Sequence, residues 1–143
     1  THDQAPDMRA REICEKIVEC INQDFDFIVA NFANPDILGH TGVKSAIVQS
    51  LETIDAELGK IASVAKEKNA ILLITADHGN AELNVDENGN PHTAHTTSDV
   101  PMIIVGINKK LNSGTIADIA PTILDIMNLK KPNSMTGVSL IGL

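Results

Sequence analysis

From Val43 to Ala65 apolar side chains return every three or four residues, at Val43, Ile47, Leu51, Ile54, Leu58, Ile61 and Ala65. Lys44, Glu52, Asp55, Lys60 and Lys66 stand between them, the pattern of a long helix with one face against a core. Directly behind it comes "AILLIT" (70–75), apolar at every position but the last. Such a run suits a parallel strand covered on both faces. In front lies "FDFIVANFA" (25–33), aromatic and β-branched enough to read as another strand. Strand, long helix and strand make a βαβ unit, whose crossover is right-handed almost without exception.

The flanks extend the same reading. Pro6 and Asp7 suit the first turn of a helix that carries Ile13, Cys14, Ile17 and Ile21 on one side. "PMIIVGI" (101–107) is a third strand, and Ser113 is placed to cap a last helix through Ile116, Ile119, Ala120, Ile123 and Met127, ending near Asn128 and before Pro132. Between the second and third strands, residues 79–99 are polar and longer than structureless loops usually run, which marks them as functional. "DENGNP" within them can turn a small hairpin. The expected fold is α/β with a mostly parallel sheet of three strands.

Composition narrows the function. A net charge of −8, two arginines (Arg9 and Arg11), no Trp and no Tyr leave neither a basic footprint nor a stacking platform for nucleic acid. No apolar stretch approaches the roughly 20 residues a bilayer crossing needs. The first twenty residues are charged throughout, unlike a secretory signal. Cys14 and Cys20, six apart on a helix, are about 9 Å apart along its axis and cannot pair. They read as buried apolar residues in a reducing compartment, which points to the cytoplasm.

The chemistry lies in the histidines. Asp36 and His40, four apart after Asn34-Pro35, project from one face of a short helical turn and suit one ion. Asp77 and His78 end the second strand; they converge only if the backbone leaves extended geometry, which Gly79 permits. His95 swings in from the long loop. Two of these clusters sit just past strand ends, where parallel α/β sheets bind ligands. Two carboxylates and three imidazoles suit Mn²⁺, Zn²⁺ or Mg²⁺, and no thiol is near. The competing readings are plain: Asp77 as a cap, His40 and His95 as solvated surface. His92, Glu82 and Asn80 read as solvated loop residues, with a ligand-orienting role as the alternative.

"NFANPDILGHTG", "TADHGNAE" and "HTAHTTSDVPMIIVG", with "THDQAPDM" at the start and "TGVSLI" at the end, resemble the cofactor-independent phosphoglycerate mutases, metalloenzymes of the alkaline phosphatase superfamily. The resemblance implies an alkaline-phosphatase-like α/β/α sandwich and two divalent ions, most often Mn²⁺, with Mg²⁺, Co²⁺ or Zn²⁺ as substitutes. By motif position Asp36, His40 and His95 hold one ion, and Asp77 and His78 contribute to the other. It implies exchange of 3-phosphoglycerate and 2-phosphoglycerate through a phosphoserine, without 2,3-bisphosphoglycerate. No stretch here matches the family's Asn-Ser-Glu-like nucleophile region or its inserted basic substrate domain. With the Thr1 start, residues 1–143 therefore look like the C-terminal portion of a longer enzyme, inactive alone and prone to pair with the rest of that chain or with itself. Phosphopentomutase, phosphatase and sulfatase relatives share such metal motifs. A non-catalytic metal-binding or assembly module is the reading outside catalysis.

Overall fold

The computed structural model describes residues 2–142. Its backbone divides into two compact units, one running to Gly106 and one from Ile107 onward.

In the first unit a single 3-10 turn (His2–Gln4) precedes α1 (Ala10–Asn22), α2 (Asn34–Gly39), α3 (Lys44–Glu67), β1 (Leu72–Thr75) and β2 (Met102–Val105). The long helix is where its periodicity predicts. Its buried stripe is shifted, however: Ala46, Ile47, Ser50, Glu57, Ile61 and Ala65 face inward, while Leu51 is 45 % exposed. Two polar residues enter that stripe because each finds a partner. Ser50 donates to the Ile47 carbonyl at 2.7 Å, and Glu57 takes the Lys60 ammonium at 2.7 Å.

Helix α1 packs on α3 through Cys14, Ile21 and Ile61, with Ile17, Val18, Ile28, Phe32, Leu58 and Leu72 closing round them. Cys14 is buried and its thiol donates to the Glu57 carbonyl; Cys20 is only half-buried, and neither is bonded to another cysteine. Burial pushes the Cys14 thiol up to about 11, so it stays neutral. The helix begins four residues later than Pro6 suggests, since Met8 has φ +43° and breaks the helical run. Asp7 consequently turns to α3, where its carboxylate accepts from the Thr53 hydroxyl at 2.7 Å.

Two expectations about the sheet fail. Residues 25–33 form no strand: among the described residues they find no ladder partner, with Phe27 and Val29 exposed. Aromatic and β-branched composition measures fit to a paired surface and does not supply the pair. Among the described residues the one sheet is β1 against β2, and it is antiparallel rather than mostly parallel, with Leu72 opposite Val105 and Thr75 opposite Met102. Its cause lies in the connection. Parallel pairing needs a crossover that returns the chain to the starting end. Residues 76–101 contain no helix, so the chain comes back at the end it left. The long loop therefore springs from one end of the β1–β2 pair.

The second unit holds a 3-10 turn (Ile116–Asp118) and α4 (Ile119–Ile126). Its start is organised by Thr115 and Asp118 rather than Ser113: the Thr115 N–H donates to Asp118 Oδ2 at 2.8 Å, and the Val138 N–H to Oδ1 at 2.8 Å. Those bonds hold the Asp118 carboxyl below the usual carboxylate range. Past α4 the backbone turns at Asn128, φ +54°, as expected. Among the described residues, no helix is long and apolar enough to cross a membrane.

Candidate metal centre

Three short stretches meet at the loop end of the sheet. Helix α2 starts at Asn34, with Pro35 in its first turn, and places Asp36 one turn before His40 at its C-terminal cap. Leu38 of α2 is buried against Ala46 and Ile47 of α3, and Ala81 of the long loop packs on the same cluster. That apolar anchor seats the loop beside α2. After Thr75 the chain bends at Asp77 and His78, and an isolated antiparallel bridge pairs Gly79 with Thr96, next to His95.

Asp36 Oδ1 is the hub. It lies 3.2 Å from His40 Nε2, 3.2 Å from His95 Nε2 and 3.9 Å from His78 Nε2. His40 Nε2 is 3.1 Å from His95 Nε2, and the His78 ring stacks on His95 with centroids 3.7 Å apart. One donor atom from each of Asp36, His78 and His95 lies within 4.8 Å of the other two. Ligands about 2.0–2.1 Å from a tetrahedral ion stand roughly 3.3 Å from one another, so these separations suit donors to a shared cation.

The ring orientations agree. His40 Nδ1 is 2.7 Å from the Thr93 carbonyl and His78 Nδ1 is 3.3 Å from the Gly79 carbonyl. A carbonyl only accepts, so each Nδ1 donates there and Nε2 is the ring nitrogen turned towards Asp36, free to take a cation when the ring is neutral. Burial acts to raise the Asp36 pKa, but the Asn80 amide and the imidazoles of His40, His78 and His95 outweigh it, and the carboxylate titrates below its ordinary range.

Asp77 stands apart from the hub. Its side chain is 87 % exposed, and its carboxylate lies 3.7 Å from His78 Nε2. The two-ion division assigned by resemblance is thus not visible as two separate clusters, since His78 lies between Asp77 and the Asp36 hub. Gly79 also acts differently from expectation. Its φ is not in the left-handed region; what demands glycine is proximity, because a Cβ there would fall 2.2 Å from the Thr96 hydroxyl oxygen.

Sequence reasoning undervalued the surroundings. Asn80 is buried and its amide donates to Asp36 Oδ1 at 2.8 Å. Glu82 accepts from the Asn80 N–H at 2.8 Å and from the Thr96 hydroxyl. Thr96, Ser98 and backbone N–H groups pull its pKa down to about 2. The available signal was Gly39 and Gly79, two glycines at non-turn positions, each marking where another side chain must come close. His92 shows no such role: its backbone N–H bonds the Asn84 carbonyl at 2.9 Å, and Val85 pairs with Pro91, so it closes the small hairpin expected from "DENGNP".

Comparison with known proteins identifies relatives of the chain. The chain is 51 % identical to a 2,3-bisphosphoglycerate-independent phosphoglycerate mutase of Acetivibrio thermocellus, over 99 % of its own length and 28 % of that protein. It is 49 % identical to the protein of the same name from Rhodopseudomonas palustris, over 99 % of itself and 29 % of the relative. The chain thus spans less than a third of the length of the curated relatives it matches. Among solved structures, phosphoglycerate mutase of Leishmania mexicana, crystallised at low cobalt concentration, superposes with a TM-score of 0.85 at 27 % identity, over 99 % of this chain and 30 % of that one. That similarity supports the alkaline-phosphatase-like α/β fold, with the one described strand pair antiparallel. The profile of the Metalloenzyme superfamily matches residues 1–131. Its donor cluster and this match agree: the chain belongs to the metalloenzyme superfamily.

Proposed function

We propose that this chain is the metal-bearing C-terminal portion of a 2,3-bisphosphoglycerate-independent phosphoglycerate mutase, an isomerase that exchanges 3-phosphoglycerate and 2-phosphoglycerate in the cytoplasm. The observation that carries the reading is the meeting of Asp36, His40, His78 and His95 from three separated stretches, in a chain about half identical to proteins of that name.

Asp36, His40 and His95 hold one ion, and Asp77 with His78 contributes to a second. Carboxylate and imidazole donors without thiolate suit a hard-to-borderline divalent cation, and the family resemblance makes Mn²⁺ the metal of choice, with Mg²⁺, Co²⁺ or Zn²⁺ as substitutes. Ions bound there neutralise charge on the transferring phosphoryl group and lower the pKa of the attacking hydroxyl. This chain's part is to present preoriented donors. His40 and His78 keep their Nδ1 hydrogens on carbonyls, and Asp36 stays anionic near neutrality, so little rearranges during reaction. Nucleophilic serine and substrate-gripping cations come from the rest of the parent enzyme.

Calorimetric titration of the chain with Mn²⁺ tests the site. Binding should be present and largely lost in His95→Ala. Unchanged binding removes His95 from the set. The chain alone should not convert 3-phosphoglycerate, and measurable turnover would refute the division of labour.

A further inference from the structure

We propose that Asn80 and Glu82 act together as positioning residues, a brace that aims Asp36 at the imidazoles and fixes the backbones carrying His78 and His95. This rests on the metal-centre reading above.

Asn80 makes two bonds with its amide nitrogen, to Asp36 Oδ1 at 2.8 Å and to the Asp36 carbonyl at 3.3 Å. Both partners only accept, so the amide has one workable orientation. Oδ1 is also the oxygen the three imidazoles surround. By occupying one of its lone pairs, Asn80 leaves the other facing the histidine rim and sets which carboxylate oxygen is presented to a cation. The fit on the far side is close: a Cβ on Gly39 would lie 2.0 Å from Asn80 Oδ1, an atom that is buried and has no partner of its own.

Glu82 secures Asn80 in turn. One carboxylate oxygen takes the Asn80 N–H, two residues from His78; the other takes the hydroxyl of Thr96, which follows His95. The Thr96 N–H closes the figure on the Gly79 carbonyl at 2.8 Å. One side chain thereby ties the two loop ends that carry imidazoles, while its neighbour ties them to α2. Outer groups of this kind are worth tenfold to a hundredfold in metal affinity.

Co²⁺ is the probe, since the intensity of its visible bands reports coordination number as well as binding. Asn80→Ala and Glu82→Ala are expected to weaken Co²⁺ binding by about 10- to 100-fold and to change the band intensity. Glu82→Gln should restore both: its carbonyl accepts from Asn80 and its NH₂ donates to the Thr96 hydroxyl. Metal-free melting temperatures are measured in parallel. Affinity lost only in step with metal-free stability, or a Glu82→Gln chain as impaired as Glu82→Ala, overturns the brace. So does unaltered Co²⁺ binding in Asn80→Ala while His95→Ala has lost it, which leaves the metal centre standing. No Co²⁺ binding by the unmodified chain overturns the centre and the brace together, and full binding by His95→Ala removes His95 from the centre and overturns the brace as the tie to its backbone.

Discussion

Asp36 and Glu82 are both carboxylates with depressed pKa values, for different reasons. Asp36 is held down by one amide and three rings against the opposing effect of burial; Glu82 by hydroxyl and backbone donors with no cation involved. Glu82 therefore gives a testable acid dependence. Its folded-state value of about 2 lies below its ordinary value of 4.5, so the stability it contributes is complete above that ordinary value and lost as pH falls towards about 2. Glu82→Gln, which keeps the contacts but cannot titrate, should flatten the stability-against-pH curve over that interval in acid denaturation followed by circular dichroism. An equal slope in both proteins would show that other carboxylates govern the acid limb. At this scale the sequence displayed the carboxylate and imidazole pairs themselves, because adjacent or i, i+4 pairs are local. It was uninformative about Asn80 and Glu82. Their roles depend on Asp36 and Thr96, which are 44 and 14 residues away respectively.

Among the elements, α3 was legible because burial on one side of a helix repeats on the residue-to-residue scale of the sequence. Ile47, Ile61 and Ala65 are buried as its periodicity predicts, but the stripe also takes in neighbouring positions. Leu51 was expected inside and is half outside, while Ser50 and Glu57 are buried, since self-satisfied polar groups can sit where pattern alone assigns hydrocarbon. This contrast is measurable. Ile61→Ala, at 1 % exposure, should cost about 2–5 kcal/mol in urea denaturation, and Leu51→Ala well under half of that. Comparable losses at both positions would restore the stripe read from periodicity. Strand direction was not legible. Leu72, Leu73 and Ile74 are as apolar as a parallel strand requires, and only the helix-free path through 76–101 makes the pair antiparallel. The candidate donors Asp36, His78 and His95 lie together at the loop end of that pair, because a loop leaving and re-entering at one end of a strand pair concentrates its residues there.

For the molecule as a whole, the segment 25–33 is the exposed element. Phe25, Phe27 and Val29 are exposed on a backbone run that has no ladder partner among the described residues, while Ile28 and Phe32 pack inward. Unpaired extended segments with apolar side chains recruit other strands. The chain should self-associate at micromolar concentration in sedimentation velocity. Val29→Asp should shift it towards monomer while leaving stability within about 0.5 kcal/mol, because Val29 is 78 % exposed. A monodisperse monomer before substitution would remove the segment from consideration. The Gly79–Thr96 bridge and the Glu82 carboxylate clasp the great loop at its neck, so the hairpin from Asn84 to His92 hangs outside the closed figure. Its tip, at Asn88 and Gly89, can be cleaved, lengthened or given a reporter peptide while the imidazoles of His40, His78 and His95 stay moored, making it the natural place for a handle on this protein.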